Sequence, residues 1–483
     1  MAFLIGGANS AADTSFEVAN SCRFDKVDSA YLSRTFGTPT DQDKWTFSCW
    51  VKRGALGSNQ DIFAVPTGTS GGYFHTGLQW NSSNQLEANV NYTGSVVGKK
   101  LPNALFRDIS AWYHLVTIWD SDNGTAGNRI KLYINGVDQT SFATDTQPSS
   151  GLASQINQAL AHRIGDGANG DLDGYLAEVV FVDGQALAPT SFGEYDEDSP
   201  SIWKPIDVSG LTFGNNGFYL DFEDSSALGN DVSGNNNDFA VTNLAATDQM
   251  TDSPTNNFPV INALFFGSGL GGNDSVSITR GNLVAHDYSG IFVPCTMFVN
   301  KGKWYWENKI GSQTDAKYTS MGIASESVVA SNDMQDDGTA GGHSLFGGDD
   351  LAYSYYGNNG YSLDNDSTQA YGSTYAANDI IGVALDLDNN KLYFSKNGTW
   401  QNSGDPESGA TGTGAISITN TYYTPMTGGF SGDSDNSNYN FGGGTTWAVS
   451  SANADANDGG TTFEYAPPSG YFAICTKNLA EYG

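Results

Sequence analysis

Apolar and polar residues alternate with period two along much of this chain, the pattern of strands with one buried face. It is clearest at 379–400. There Ile381, Val383, Leu385 and Leu387 fall on one face, and Gly382, Ala384, Asp386 and Asp388 on the other. Asn389-Asn390 makes a turn, Leu392 and Phe394 rejoin the apolar face, and Asn397-Gly398 makes a second turn. Asn-Gly supplies the two positive-φ positions of a type I′ hairpin. A strand–turn–strand–turn unit of this kind cannot bury its apolar face alone and needs a second sheet over it.

The same pattern recurs upstream. It predicts strands at 31–34, 45–51, 61–65, 77–80, 86–92 and 130–137. In 45–51, Trp45, Phe47, Cys49 and Val51 share a face; 111–120 is apolar on both faces and reads as a central strand. Lys131-Leu132-Tyr133-Ile134 before Asn135-Gly136 echoes Lys391-Leu392-Tyr393-Phe394 before Asn397-Gly398. Each follows a long apolar strand ending in aspartate, at Asp120 and at Asp386 or Asp388. The fold class is all-β: two tandem antiparallel β-sandwiches. The boundaries expected are an N-terminal arm at 1–25, a first sandwich at 26–205, a connector at 206–262 and a second sandwich at 263–483. The connector holds one strand, 217–222, and Pro254 and Pro259 favour an extended linker. The best helix candidate is short, at 153–162.

The residues from 379 to 400 resemble the SPRY domain, a β-sandwich binding module. Upstream, Lys303-Trp304-Tyr305-Trp306-Glu307 and Met321-Gly322-Ile323-Ala324 are similar to that family's first core strands. Tyr465-Ala466-Pro467-Pro468-Ser469-Gly470-Tyr471 is similar to its closing segment. The first copy resembles the laminin-G-like group of concanavalin A-like jelly rolls, through Trp45-Thr46-Phe47-Ser48, Trp112-Tyr113-His114-Leu115-Val116, Leu132-Tyr133-Ile134-Asn135-Gly136 and the run 173–184. The order of the two domains looks like that of surface or tail proteins of bacteriophages, an analogy of architecture.

Composition narrows the partners. Against 21 Lys and Arg stand 53 Asp and Glu, a net charge of −32. Such a surface repels nucleic acid. Cys22, Cys49, Cys295 and Cys475 form no C-x-x-C pair, which argues against zinc. They read as buried thiols; a disulfide alternative would pair Cys22 with Cys49 or Cys295 with Cys475. The N-terminal run Met1-Ala2-Phe3-Leu4-Ile5 is too short and lacks the basic region of a signal peptide. The expectation is a protein made in a host cytoplasm and placed on a virion, without membrane insertion.

Candidate chemistry is sparse. Glycosidases of concanavalin-like fold carry E-x-D-x-x-E on one strand. The nearest string, Glu194-Tyr195-Asp196-Glu197-Asp198-Ser199, lacks the last Glu and precedes Pro200 in a polar run read as non-strand. His114 sits in the central strand, where a hydrogen-bonded core histidine is expected. Acidic loops suggest calcium, the only cofactor implied: Asp120 with Asp122, the run 231–238, and Asp433 with Asp435. The alternative is ordinary Asp/Asn turns. The stretch 351–375 mixes Tyr with Ser, Gly and Asn, as recognition loops do. Tyr353, Tyr355, Tyr356, Tyr361, Tyr371 and Tyr375 are the ligand-binding candidates, unless they fill the core of two strands. Together these readings imply a non-enzymatic virion surface protein, a tail or fibre adhesin. It would bind a host-surface glycan or protein through sandwich-rim loops, as a homo-oligomer among other virion proteins. A capsid decoration protein is the second reading and a glycan-cleaving enzyme the third.

Overall fold

The ten residues Lys44–Arg53 form the central strand of the first sheet, and all but Lys44 are buried. The strand pairs antiparallel with Trp112–Asp120 on one side and Gly174–Asp183 on the other. It belongs to a computed structural model that describes residues 4–5, 16–66, 76–92, 95–265, 276–286, 292–311, 319–331, 351–364, 367–429, 436–457 and 460–483. The chain divides into two compact units, Thr14–Thr255 and Asn256–Gly483 with Met1–Asp13.

The first unit is a sandwich of two eight-stranded sheets. The first runs Val137–Asp138, Ile130–Ile134, Trp112–Asp120, Lys44–Arg53, Gly174–Asp183, Ser21–Phe24 and Gln249–Met250, with Phe218–Leu220 also on Gly174–Asp183. The second runs Phe142–Thr146, Ser95–Pro102, Leu86–Tyr92, Thr76–Trp80, Gln60–Val65, Ala161–Ile164, Tyr31–Thr35 and Ala240–Thr242. Trp45, Phe47, Cys49 and Val51 face the core between them, against Phe63, Leu78, Trp80 and Trp119. Each such side chain, fully buried, is worth about 1.5–3 kcal/mol of transfer free energy. A cavity of about 10 Å³, roughly the room of one water, lies between the sheets beside Trp45, Phe47, Phe63, Leu78 and Trp119.

The outer face of the first sheet is buried too. Val116, Ile118, Val180 and Val182 pack under Phe192, Val208, Phe213 and Tyr219. Trp50, Trp112, Tyr175 and Ala177 pack with Val18, Trp203 and Met250. This is why 111–120 is apolar on both faces.

The structure corrects three expectations. The stretch 206–255 is not a connector: Phe218–Leu220, Ala240–Thr242 and Gln249–Met250 are strands of the first sandwich. The arm is not all arm, because Ser21–Phe24 lies inside the first sheet. Strands of two to four residues are too short for periodicity to register. Nor is 153–162 a helix; it is a series of turns ending in the strand Ala161–Ile164.

The second unit has a nine-stranded and a six-stranded sheet. In the larger, Ile380–Asp386 pairs with Lys303–Ile310 and Lys391–Lys396. In the smaller, Thr319–Ser325 lies between Tyr423–Gly429 and Ala352–Tyr356. Trp304, Trp306, Ile323, Val383, Leu385, Leu392 and Phe394 are in the core. Asn135-Gly136 and Asn397-Gly398 both have the two positive φ angles expected of them, 48° and 76°, and 48° and 77°.

Candidate functional site

Five of the six candidate tyrosines are core residues. Tyr353, Tyr355, Tyr356, Tyr371 and Tyr375 are 3, 0, 1, 6 and 2% exposed, and only Tyr361, at 37%, is open to solvent. Tyr353 and Tyr355 face the main core, whereas Tyr356 fills a separate cluster with Phe265, Val328 and Met426. The hydroxyls are used internally. Tyr375 donates to the carbonyls of Thr319 and Tyr355 at 2.8 and 2.7 Å, Tyr355 donates to that of Ser373, and Tyr371 accepts from Phe394 N–H. Ala352–Tyr356 is covered on both sides, so alternate tyrosines have no free face for a ligand.

The calcium candidates do not assemble. Asp120 accepts from Asn123 Nδ2 at 3.2 Å, and Asp122 is exposed, 3.7 Å from Lys44 Nζ. Asp433 and Asp435 lie outside the described residues. Asp231 accepts the N–H groups of Tyr219, Ser233 and Asn237, so it organises its own turn. Among the described residues no group of three or more His, Cys, Asp or Glu could hold a metal.

His114 is a hydrogen-bonded core histidine. Its Nε2 is 2.9 Å from Ser48 Oγ, which on distance alone suggests a nucleophile and base. Trp203 settles the tautomer: its indole N–H, a donor only, gives its proton to His114 Nδ1 at 2.9 Å. Nε2 therefore carries the hydrogen and donates to Ser48, the reverse of what a general base needs. Burial holds the imidazole neutral, its pKa pushed down to about 3. The string at 194–199 has a different setting from that expected. Gly193–Tyr195 is a strand, paired with Trp203–Pro205. Asp196 nevertheless serves its own turn, accepting from the N–H of Asp198 and Ser199.

Two buried carboxyls stand apart. Glu307 accepts from Tyr305 Oη, Asn440 Nδ2 and the N–H groups of Glu464 and Tyr465, which ties the closing segment to the sheet. Burial pushes its pKa up to about 7. Glu178 sits at a bulge with φ of 50° and accepts from Tyr219 Oη at 2.7 Å. Its pKa is pushed up to about 8, again by burial.

The polar residues best placed to meet a ligand lie on the outer face of the first unit's second sheet. Leu86, Ala88 and Val90 belong to the core, so Glu87 and Asn89 point away from it. Strand pairing then fixes a row across the sheet: Ser33, Arg163, Ala64, Gly77, Asn89 and Lys99, each directly opposite the next. Beside it runs a second row, Asp61, Gln79 and Glu87. Small residues in the middle of the first row lower the floor between Arg163 and Asn89. The loop after Ala161–Ile164 lies over one side: a Cβ on Gly167 would come within 2.2 Å of Asp61 Oδ2.

Most of the polar atoms here are preset. Asn169 donates to Gln79 Oε1 at 2.9 Å, and its N–H donates to Asp61 Oδ2. Lys99 pairs with Glu87 at 2.8 Å. Arg163 binds Asp166 and covers the Tyr31 ring, 4.5 Å from its centroid. The Asp166 carboxyl is held above its ordinary pKa by burial and then by the hydrogen bond with Asp171. Asn89 is the exception: only 8% exposed, its Oδ1 has no hydrogen-bond partner. A buried amide oxygen without a donor costs about 1–3 kcal/mol, which a ligand hydroxyl or amide would recover. The alternation in 86–92 marks these residues as outward-facing, but nothing in it shows which neighbours they meet.

Residues 26–190 match the model for the concanavalin A-like lectin/glucanases superfamily, and 303–411 match the SPRY domain. The chain carries a concanavalin A-like domain and a SPRY domain. Ran-binding protein 9 of Homo sapiens is 32% identical over 98 residues, 20% of this chain and 12% of that protein. The zebrafish (Danio rerio) Ran-binding protein 10 gives the same identity over 14% of its length. The chain thus spans only about an eighth of the curated relatives it matches. Two solved structures are similar at low scores. A putative carbohydrate binding protein from Bacteroides ovatus is 15% identical, with 47% of this chain and 58% of that chain covered and a TM-score of 0.33. The SPRY domain of human HERC1 is 16% identical, with 34% and 91% covered and a TM-score of 0.26. The outer-face polar rows all fall inside the concanavalin A-like domain, and the buried tyrosines inside the SPRY domain.

Proposed function

We propose that this is a non-enzymatic binding protein whose concanavalin A-like domain holds a hydroxyl-rich chain, a glycan, on the outer face of its second sheet. The observation that carries the reading is Asn89: a buried amide oxygen without a partner, in a row floored by small residues and flanked by preset amides and ion pairs. Amide and planar charged groups match the paired hydroxyls of a sugar. The cations in the rows are already paired with carboxylates and the protein is strongly acidic, which favours an uncharged glycan over an anionic one.

Display on a phage virion, as a tail or fibre adhesin, belongs to the same proposal. Its support is the order of the two domains. The site differs from the rim loops expected, since it lies on a sheet face. A glycan array with the full chain tests it. Neutral glycans should be retained, and Asn89→Leu, which removes the amide, should abolish retention without lowering the melting temperature. Retention unaffected by Asn89→Leu refutes the site. Antibody labelling of virions tests the placement: label at the tail supports an adhesin, and label across the head supports decoration.

A further inference from the structure

Asn-Gly occurs six times in the chain, with asparagine at 123, 135, 169, 216, 359 and 397. The pair is chemically weak. Glycine has no Cβ to shield its nitrogen, so that nitrogen can attack the side-chain amide carbon of the asparagine before it. In a folded chain the surroundings decide which pairs react, because the glycine amide must swing and a succinimide ring must find room.

Five pairs are clamped. A Cβ on Gly136, Gly170, Gly217, Gly360 or Gly398 would lie 1.9 to 2.6 Å from a backbone carbonyl or an aromatic ring. Asn135 and Asn397 are also held at φ of 48°, with Oδ1 accepting from the N–H of His114 and of Ile380, each at 2.8 Å. Asn216 is 2% exposed. Gly360 N–H donates to the Tyr356 carbonyl and Gly170 N–H to Asp61 Oδ2. Gly124 differs from all of these. It is exposed, a Cβ there would meet nothing within 4 Å, and its N–H has no partner among the described residues. The Asn123 side chain is tethered only by two long bonds, Oδ1 from Thr125 N–H at 3.1 Å and Nδ2 to Asp120 Oδ2 at 3.2 Å.

We propose that Asn123 is a modification site, converted to isoaspartate in the folded protein without an enzyme. The bond from Gly124 N to Asn123 Cγ forms as the Cγ–Nδ2 bond breaks. Nδ2 leaves as ammonia, carrying the proton from Gly124 N. Water then opens the succinimide, its hydroxyl going to one ring carbonyl and its hydrogen to the ring nitrogen, and the new carboxyl ionises. Opening at the main-chain carbonyl gives isoaspartate, whose free carboxylate stands where Arg129 Nε already donates at 3.1 Å. Opening at the side-chain carbonyl gives aspartate, with its carboxylate beside that of Asp120, a like charge.

The test follows the full chain in mildly alkaline buffer by mass spectrometry of its tryptic peptides. The peptide 108–129, which carries Asn123, should gain the mass of the amide-to-acid exchange at least about tenfold faster than the peptides carrying the other five pairs. Isoaspartyl methyltransferase should label that peptide. In denaturant the difference should vanish, because six identical dipeptides are then equally open. Gly124→Ala, which its conformation and open surroundings admit, should slow the reaction at residue 123 at least about tenfold. A native rate at Asn123 no higher than at the other pairs overturns the inference. So does a preference for Asn123 that persists in denaturant, since the sequence and not the fold would then set it.

Discussion

Asp252 tests whether the stretch after residue 206 is part of the first sandwich. Its carboxylate accepts from Lys52 Nζ at 2.7 Å and from Trp112 Nε1 at 3.1 Å, and it holds the chain end of this unit on the outer face of the first sheet. Lys52 is fully buried and Asp252 is 4% exposed. Asp252→Ala removes the acceptor of both donors and strands an ammonium in the interior. Breaking a buried pair from one side costs about 3–5 kcal/mol. For a unit of this size each kcal/mol lowers the midpoint by about 2–4 °C, so the first-unit transition should fall by roughly 6–20 °C in scanning calorimetry. The double variant Lys52→Met with Asp252→Leu replaces both charges by apolar groups and should recover most of the loss. A fall under about 2 °C for Asp252→Ala refutes the reasoning and returns the stretch to the status of a linker.

Tyr355→Ala and Tyr356→Ala should each cost about 3–5 kcal/mol, the range for emptying an aromatic site in a core; soluble variants that melt like the wild type contradict their burial. Glu178 has a folded-state pKa of about 8, above the ordinary 4.5. Its contribution is therefore full below pH 4.5 and lost as pH rises through 8. Glu178→Gln still accepts from Tyr219, so the variant should gain on the wild type across that window in melts at successive pH; parallel profiles refute the assignment. All four cysteines are free and buried, and burial raises their thiol pKa. A thiol reagent should find none in the native chain and four in denaturant.

Long strands were legible because one face alternated with the other: Lys44–Arg53 and Ile380–Asp386 lie where the pattern puts them. The Asn-Gly hairpins were legible because two positive φ angles in succession admit few residue types. The tyrosines misled for a physical reason. Ala352–Tyr356 is buried on both faces, so adjacent Tyr355 and Tyr356 are both interior, and an interior run of tyrosines reads the same as a recognition loop. The outer-face rows were half legible. Leu86-Glu87-Ala88-Asn89-Val90 shows which residues point outward. That Asn89 lies opposite Gly77 and Lys99 is set by register, which no single strand encodes.

The position of Ser21–Phe24 also bears on synthesis. Its neighbours in the sheet are Gly174–Asp183 and Gln249–Met250, so it leaves the ribosome long before either partner. Until residue 250 emerges, the nascent sheet has an open, hydrogen-bond-hungry border. Such delayed closure is slow and invites pairing with other chains. In a crowded polysome, neighbouring nascent copies are the nearest available strands, and the surplus negative charge on every copy is a standing repulsion between them.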